Sequence, residues 1–250
     1  MSRDKVTIIG SYLSPYVRKV LTCLELKQIP YEIDPIVPYF GNEEFSALSP
    51  LRRIPVLIDS AVTLCDSTVI CEYLNEAYPG PALLPATPEL RARSRWLEEY
   101  ADTRMGDVFI WHYYNQLVIR KKVWRREPDP AVLDAAINEE IPGILDYLEG
   151  VLPAQGWLFG DIAVADIAIA SFFRNAQFAG FEFDSERWPL TSAFVGHALA
   201  HPAMAVLQVY EDLIMTTPIP ERRKALLAAG APLTPTTMAD SEPRKGYFYT

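Results

Sequence analysis

The sequence predicts an α/β domain of thioredoxin-like layout followed by an all-helical (all-α) domain. Strand and helix patterns alternate over residues 1–80 in the order β-α-β, then β-β-α, whereas only helical periodicity follows Glu89. A Pro-Gly-Pro turn at residues 79–81 ends the first part, and residues 81–88 are predicted to be a linker. With 250 residues, the chain is long enough for two such sub-domains.

The β-α-β half of the first domain has one helix between two short strands. Residues 6–9 are mostly apolar, as in a buried strand, and Tyr31 to Ile33 form the second strand. The usual right-handed crossover places these strands side by side. The helix ends near Lys27, and its apolar residues are spaced i, i+3, i+4 and i+7 on one face: Val17, Val20, Leu21 and Leu24.

A β-hairpin and a helix make up the other half of this domain. Residues 56–58 and 62–64 are apolar strands on either side of an Asp-Ser-Ala connection, and the stretch before them is irregular. The helix that follows has apolar side chains along one face: Val69, Ile70, Tyr73, Leu74 and Ala77.

The second domain is predicted to cover residues 89–220. Helical periodicity marks four stretches in it: 89–119, 131–151, 165–178 and 203–214. Residues 221–250 form a C-terminal tail with little apolar periodicity and many turn-forming residues, so we expect it to be mobile or laid over the surface.

Composition narrows the class of protein. Half of the residues are hydrophobic and 22% are charged, as in globular proteins, and the net charge of −9 argues against a nucleic-acid partner. No apolar run reaches the roughly 18 residues of a membrane helix, and the N-terminus lacks a signal-peptide segment, so we expect a cytoplasmic protein. Cys23, Cys65 and Cys71 lack metal-ligand spacing and a disulfide framework, so we expect no bound metal.

Ser14 stands where a strand gives way to a helix, and two roles fit it. Serine is a favoured N-cap and Pro15 suits the first helical position, so Ser14 can simply start the helix. A helix N-terminus also attracts anions, and a hydroxyl there can donate to a thiolate. Such a hydrogen bond is worth about 1.5–3 kcal/mol, and one pKa unit about 1.4 kcal/mol. It can therefore lower a thiol pKa from about 8.5 toward neutrality.

Two further segments also allow a structural and a functional reading. Pro55 stands at the start of a strand, a position where a sheet tolerates proline. Asp66 and Ser67 begin a helix, where a carboxylate and a hydroxyl can cap it. They can equally hold the amino-acid-like end of a ligand, because the carboxylate can take its ammonium group and the helix N-terminus its carboxylate.

Together, the segments SPYVRKV, RRIPVL and DSTVICEYL and the helical half resemble the glutathione S-transferase family. The resemblance covers about residues 4–215 and is nearest to serine-type classes, such as the tau class and related bacterial enzymes. It implies a first domain that binds glutathione and a helical domain with an apolar pocket for a second substrate. It also implies a homodimer, in which the first domain of one subunit meets the second domain of the other.

The resemblance assigns roles to individual residues. The activating serine of the family falls on Ser14. The acidic residue and serine that hold the γ-glutamyl end of glutathione fall on Asp66 and Ser67. The family's cis-proline, and the residue before it whose backbone pairs with the cysteinyl group, fall on Pro55 and Ile54.

Three positions match the family less closely. Arg53 falls on the basic residue that could meet the glycyl carboxylate. The basic residue that is common five positions after the activating serine is Lys19, with Arg18 one position early, and either can be a structural ion-pair partner. Ala163 replaces a usual Ser or Thr at the start of a second-domain helix, which removes half of a capping pair worth ~1 kcal/mol.

The pocket for the second substrate is predicted to include Tyr12, Trp111 and Tyr114. Tyr12 is also a rival to Ser14 as the activating hydroxyl, although it should lie at the strand end. Trp111 and Tyr114 belong to a run of aromatic residues at 109–114, and one helical stripe about 100° wide cannot bury all of them. Some must face a cleft, a partner subunit or solvent.

The expected function is a glutathione transferase in which Ser14 stabilises the thiolate of its co-substrate glutathione for attack on a hydrophobic electrophile. Thiol exchange is not expected, because a serine cannot form the mixed disulfide. The main alternative is a non-catalytic ligand- or protein-binding relative of the stringent-starvation type. Peroxidase and dehalogenase activities stay open, whereas a maleylacetoacetate isomerase is less favoured because the Ser-Ser-Cys signature of that class is absent.

Overall fold

The computed structural model describes residues 5–244, and these fall into two compact units. Unit 1 contains the described chain up to Pro81 together with the segment from Ala203 onward, and unit 2 runs from Ala82 to Pro202. The chain therefore returns to unit 1 after it completes unit 2. The predictions for residues 1–4 and 245–250 lie outside the described residues.

Unit 1 is built on a four-stranded sheet of order β2-β1-β3-β4. Its strands are β1 Val6–Ile9, β2 Tyr31–Asp34, β3 Val56–Ile58 and β4 Thr63–Cys65. β1 and β2 are parallel, whereas β3 runs antiparallel to both β1 and β4. This is the topology that the β-α-β and β-β-α order predicts.

Five helices accompany this sheet: α1 Pro15–Leu26, α2 Glu43–Leu48, α3 Ser67–Ala77, α10 Pro202–Thr216 and α11 Arg222–Ala228. The predicted apolar face of α1 is fully buried. Helix α2 lies in the stretch predicted to be irregular, because six residues are too few to show a period. Its N-cap is Asn42, whose side chain accepts a hydrogen bond from the N–H of the fully buried Phe45 at 3.0 Å.

Two buried side-chain pairs connect the helices of unit 1. Arg18 on α1 donates from Nε to Glu211 on α10 at 2.5 Å, and both side chains are 1% exposed. This ion pair gives Arg18 the structural role that the sequence left open. Cys23 on α1 and Cys71 on α3 are free cysteines, and their Sγ atoms lie 3.6 Å apart.

The described part of the tail is ordered and lies over unit 1. After α11, the backbone of Leu233 forms a parallel bridge with Ile33 of β2, so the tail extends the sheet at its edge. Further along, Ala239 forms an antiparallel bridge with Gly41. Of the two outcomes expected for the tail, the structure therefore has the second, a segment laid over the surface.

Unit 2 is entirely helical. Its α-helices are α4 Pro88–Tyr100, α5 Arg120–Lys122, α6 Pro130–Ala135, α7 Ile141–Glu149, α8 Val164–Phe178 and α9 Pro189–Ala200. The α-helix predicted over 89–119 ends at Tyr100, and Ala101–Ile119 continues with the wider i→i+5 hydrogen bonding of a π-helix. Residues 136–140 form a second π-helical segment.

The π-helix supplies much of the core of unit 2. Ten of its 19 residues are buried, among them Ala101, Met105, Ile110, Tyr114 and Val118. Phe109 is also buried and packs against Phe173 of α8, with ring centroids 4.9 Å apart. Trp111 and His112 are only partly buried, as expected if the aromatic run cannot face one core.

Carboxylates supply the N-terminal caps of α8 and α9. Asp166, fully buried, accepts from the N–H groups of Ala163 at 2.8 Å and Leu158 at 2.9 Å. Burial raises the pKa of Asp166 to about 6, although these hydrogen bonds lower it. Glu149 of α7 accepts from the first N–H groups of α9, which explains how a helix that the sequence analysis missed is started.

In the part of the chain that the structure describes, no single helix has both the length and the apolarity needed to cross a membrane. The helices Pro189–Ala200 and Pro202–Thr216 meet that criterion only when they are taken together.

Candidate functional site

In the sheet of unit 1, the four strands have one terminal residue each at the same end of the sheet, and these residues lie side by side in a row of strand ends. The register pairs Asp34 with Ile9, Ile9 with Val56, and Val56 with Cys65, so these residues form one row. Adjacent strands lie about 4.8 Å apart, so the whole row spans only about 15 Å. Chain segments that leave the sheet from this row are therefore neighbours in space.

The predicted site residues lie in three connections that leave from this row. One follows Ile9 and leads into α1, one leads into β3 just before Val56, and one follows Cys65 into α3. Each connection holds part of the predicted set: Ser14 the first, Ile54 and Pro55 the second, Asp66 and Ser67 the third. The structure thus brings together segments that are up to 53 residues apart in the sequence.

Gly10 allows the first two connections to approach each other. Its φ is +157°, and a Cβ built there would lie 2.5 Å from Cγ2 of Val17 and 3.3 Å from Cβ of Ile54. A larger residue would therefore push α1 and the Ile54 segment away from the end of β1. The sequence analysis did not single out Gly10, because only the fold shows what it faces.

Ser14 is the N-cap of α1, as predicted, with an extended backbone at φ −79° and ψ 127°. Its Oγ accepts from the N–H of Val17 at 3.4 Å, which is long for such a bond. The cap uses a lone pair of the oxygen, so the hydroxyl proton can still be donated to another group. Capping the helix and donating to a thiolate are therefore compatible.

The peptide bond between Ile54 and Pro55 is cis. β3 begins at Val56, so the backbone of Ile54 lies outside the strand ladder, in the row of connections. The side chain of Ile54 packs on a cluster formed by Ile9, Ile36, Phe45 and Val56.

Of the two arginines before Ile54, Arg53 is exposed and Arg52 is bound to the fold. Arg53 is fixed through its backbone, which donates to Ser49 Oγ at 3.0 Å and accepts from it at 2.8 Å. Arg52 donates from Nη2 to the carbonyls of Pro38 at 3.1 Å and Gly41 at 2.8 Å. The resemblance singled out Arg53, whereas the hydrogen bonds of Arg52 to these two carbonyls had no signal in the sequence.

Asp66 is the N-cap of α3, and its backbone has the unusual φ of +80° for a non-glycine residue. Its Oδ1 accepts from the N–H groups of Thr68 at 2.9 Å and Val69 at 3.2 Å. The side chain is exposed, whereas Ser67 is only 3% exposed. Residues held at positive φ cluster at ligand sites, where the strain is part of the design.

Lys19 connects α1 and α3, the helices that follow the first and the third connection. It is 1% exposed, and its Nζ donates to Oγ1 of Thr68 in the first turn of α3 at 3.3 Å. Lys19 therefore helps to fix α1 against α3.

Tyr12 lies in the interior of unit 1. It is fully buried, its ring centroid is 5.0 Å from that of Tyr210, and its hydroxyl has no hydrogen-bond partner among the described residues. Burial, followed by the nearby Tyr210 and Glu25, raises its pKa well above the usual value. A hydroxyl that is closed to solvent in the interior of unit 1 is a poor candidate for thiol activation or for a pocket wall.

Trp111 and Tyr114 lie on the π-helix of unit 2. Trp111 is partly buried and Tyr114 is 5% exposed. Their neighbour Tyr113 donates from its hydroxyl to the carbonyl of Ala179 at 3.3 Å, which fixes it in the core of this unit.

The fourth member of the row, Asp34, was missed by the sequence analysis. It is 2% exposed and accepts hydrogen bonds from the Thr237 hydroxyl at 2.7 Å and the Met238 N–H at 2.6 Å. Burial raises the pKa of Asp34, against the effect of these hydrogen bonds and of Arg223. An acidic residue ending an apolar strand was the available signal, but its partners lie some 200 residues away.

No cluster of three or more potential metal ligands occurs between residues 5 and 244. The side chains along the row instead offer what a small peptide needs: hydroxyls, a carboxylate, an exposed guanidinium group and two helix N-termini.

Two family models match the chain. The model of the glutathione S-transferase N-terminal domain matches residues 8–82, and that of the C-terminal domain matches residues 110–202. Among curated relatives, the maleylacetoacetate isomerase of Pseudomonas aeruginosa is 30% identical over 199 residues, which is 77% of this chain and 90% of that protein.

Other similarities are partial or structural. A stringent starvation protein A homolog of Haemophilus ducreyi is 41% identical over 93 residues, 37% of this chain. That match and the one to a probable glutathione S-transferase of Solanum tuberosum span only 44% and 49% of those proteins. The crystal structure of a glutathione S-transferase from Rhodospirillum rubrum superposes with a TM-score of 0.74 and 27% identity, covering 81% of this chain and 91% of that one.

The fold defines a protein with a thioredoxin-like first domain and a helical second domain. With both family models matched, the chain belongs to the glutathione S-transferase family.

Proposed function

We propose that the protein is a glutathione transferase of the serine type. Glutathione is its co-substrate, and the Ser14 hydroxyl donates a hydrogen bond to the glutathione thiolate. The observation that carries the proposal is the row of strand ends, which places Ser14, the cis Ile54–Pro55 bond and Asp66-Ser67 in neighbouring connections.

Each connection has a part in binding the tripeptide. Asp66 takes the ammonium group of the γ-glutamyl end, while Ser67 and the N-terminus of α3 take its carboxylate. The backbone of Ile54 pairs with the cysteinyl group, and the exposed Arg53 meets the glycyl carboxylate. This order places the thiol beside the N-terminus of α1, where Ser14 and the helix dipole both favour the charged form.

The chemistry is nucleophilic attack of the thiolate on an electrophilic carbon. The chain's residues lower the pKa of the thiol and hold the thiolate ready, so catalysis comes from a larger thiolate fraction and from proximity. Trp111 and Tyr114 of unit 2 are proposed to line the pocket for a hydrophobic electrophile. Tyr12 is left out of this pocket because it is fully buried inside unit 1, whereas Tyr114 keeps an exposed fraction of 5%. A homodimer and a cytoplasmic location complete the proposal.

Replacement of Ser14 by Ala tests the mechanism. Without the hydroxyl, the pKa of bound glutathione should rise by about 1–2 units, and kcat/KM near pH 7 should fall roughly 10- to 100-fold. The dissociation constant for glutathione should change much less. The thiolate absorbance of bound glutathione across pH and the rate with an aryl halide measure both effects.

Two variants serve as controls. Ser14→Thr keeps both the helix cap and the hydrogen-bond donor, so it should retain most of the activity. Ser60→Ala removes an exposed hydroxyl in the β3–β4 hairpin and should leave the activity and the thiol pKa unchanged. The mechanism is wrong if Ser14→Ala leaves the thiol pKa unchanged. Full-length protein that is not retained on immobilised glutathione would point to a non-catalytic protein of the stringent-starvation type.

A glutathione-dependent isomerase is the second candidate. The maleylacetoacetate isomerase relative is matched over 90% of its length, which favours this activity although the Ser-Ser-Cys signature is absent. Conversion of maleylacetoacetate in the presence and absence of glutathione distinguishes an isomerase from a transferase. Peroxidase and dehalogenase activities are tested in the same way with a hydroperoxide and a haloacid.

A further inference from the structure

The described end of the tail, residues 231–244, is called here the C-terminal strap. It first runs along the edge strand β2. The N–H of Ile33 donates to the carbonyl of Pro232 at 2.8 Å, and the N–H of Thr234 donates to the carbonyl of Ile33 at 3.1 Å. The strap thus continues the hydrogen bonding of the sheet on the side of β2 opposite to β1.

The strap is then anchored at the row of strand ends. Asp34, the β2 member of that row, accepts from Thr237 and Met238 and pairs with Arg223 of α11 at 3.4 Å. The carbonyl of the same Asp34 accepts from the N–H of Gly10 at 2.9 Å. One residue therefore joins the strap to the connection that carries Ser14.

Beyond Asp34, the strap crosses the segment that leads into α2. The carbonyl of Met238 accepts from the N–H of Asn42 at 2.9 Å, and the N–H of Asp240 donates to the carbonyl of Phe40 at 2.5 Å. The N–H of Arg244 donates to the carbonyl of Tyr39 at 2.6 Å. The backbone of residues 39–42 is thus held by the strap.

These residues are linked in turn to Arg53 and Ile54. Arg52, the neighbour of Arg53, donates to the carbonyls of Pro38 and Gly41. These hydrogen bonds connect the segment under the strap to the chain just before Ile54. The Met238 side chain packs on the same cluster of Ile9, Ile36, Phe45 and Val56 that supports Ile54. Met238 is therefore the one strap side chain in the apolar cluster beneath Ile54, among the residues described.

We propose that the C-terminal strap positions the glycyl side of the glutathione site, by holding residues 38–54 against the sheet. This inference rests on the proposed function, because it assumes that Arg53 and Ile54 meet the glycyl and cysteinyl parts of glutathione. When the strap is absent, residues 38–54 sample other arrangements, and the apparent dissociation constant rises as the inverse of the fraction that remains competent to bind.

The γ-glutamyl side is independent of the strap. Asp66 and Ser67 belong to α3, which is fixed to α1 by the contact between Lys19 and Thr68 and by the packing of Cys23 on Cys71. The strap instead contacts β2, residues 39–43 and the Ile9 cluster. Loss of the strap should therefore weaken recognition of the glycyl end and spare that of the γ-glutamyl end.

Two ligands separate these effects: glutathione, and γ-glutamylcysteine, which lacks the glycyl residue. We expect a chain ending at Gly230 and the variant Met238→Ala to bind glutathione roughly tenfold more weakly in calorimetric titrations. The loss should be smaller for γ-glutamylcysteine, which keeps the contact with Ile54 but lacks the glycyl carboxylate that meets Arg53. A chain ending at Arg244 keeps every strap contact described here, and Leu227→Ala changes an exposed side chain. Both controls should bind as the full chain does.

Hydrogen exchange and complementation complete the test. Amides of residues 38–48 should exchange faster in the chain ending at Gly230, and a synthetic peptide of residues 231–244 added to that chain should restore the glutathione affinity. If the shortened chain does not fold, Met238→Ala decides the outcome.

Unchanged glutathione affinity in the folded variants, or equal weakening of both ligands, overturns the positioning role and leaves the proposed function intact. A full-length chain without any glutathione affinity overturns the proposed function, and this role with it.

Discussion

At the scale of single residues, the site uses side chains that cap a helix and still retain capacity for a ligand. Ser14 caps α1 through an oxygen lone pair and keeps its proton, and Asp66 caps α3 through Oδ1. Capping fixes each side chain before a ligand arrives, so little rotamer entropy is lost on binding. Because one side chain can serve both purposes, the sequence alone could not separate a structural role from a functional one for these residues.

Another carboxylate, that of Asp59 in the β3–β4 hairpin, accepts four hydrogen bonds. Its Oδ2 accepts from the hydroxyls of Tyr73 at 2.6 Å and Tyr78 at 2.7 Å, and its Oδ1 from the N–H groups of Ala61 and Val62. Burial alone would raise the pKa of Asp59, but these hydrogen bonds outweigh it and lower the pKa to about 2.

The lowered pKa of Asp59 predicts an acid-dependent loss of stability. Its contribution is present above the unfolded-state pKa of about 3.9 and is lost as the pH falls toward the folded-state value. Asp59→Asn should lower the free energy of unfolding at pH 7 by about 1–3 kcal/mol and flatten its decrease between about pH 4 and 2. Urea unfolding at several pH values measures this, with the exposed Asp107→Asn as control; a parallel pH profile for both would contradict it.

At the scale of elements, helix starts in unit 2 depend on side chains from elsewhere. Helix α8 lacks a side-chain cap at Ala163 and relies on Asp166, while α9 is started by Glu149 of α7. Local signals were enough to predict α1 and α3, whose caps are neighbours in sequence. They were not enough for α9, because its cap lies some forty residues earlier and its apolar residues form no narrow stripe.

The open cap position of α8 predicts a stabilising substitution. Ala163 has the extended backbone of an N-cap, at φ −126° and ψ 170°, so Ala163→Ser should accept from the N–H of Asp166. The free energy of unfolding should rise by ~1 kcal/mol in urea denaturation. Ala163→Gly, which offers no acceptor, is the matched control and should not stabilise. Equal stability of the Ser variant and the parent chain would refute the prediction.

At the scale of the whole molecule, the two units are not two successive halves of the chain, because unit 1 is built from segments before and after unit 2. Unit 1 is completed only when α10, α11 and the strap return to it after unit 2. The sequence predicted the sheet topology and the order of the three connections that hold the candidate site residues, because periodicity and local turns encode them. It did not predict which unit the later segments join, because that depends on buried pairs such as Arg18 with Glu211.

The ion pair between Arg18 and Glu211 leads to a prediction for how much α10 contributes to the stability of unit 1. Glu211→Ala leaves the Arg18 charge buried, so the free energy of unfolding should fall by about 3–5 kcal/mol. The double variant Arg18→Met with Glu211→Leu should recover most of that loss. Thermal and urea unfolding measure both, with the exposed Asp212→Ala as control. A loss below about 1 kcal/mol for Glu211→Ala would argue against the role of this pair.

The strap beside β2 also bears on how the protein behaves at high concentration. The outer strand of a sheet presents backbone groups that can pair with a strand of another molecule, and natural proteins protect such edges against aggregation. Here the chain's own end occupies the outer side of β2 around Ile33, so that stretch is already satisfied within one molecule. Residues 232–234 of the strap therefore shield this part of β2 from intermolecular strand addition.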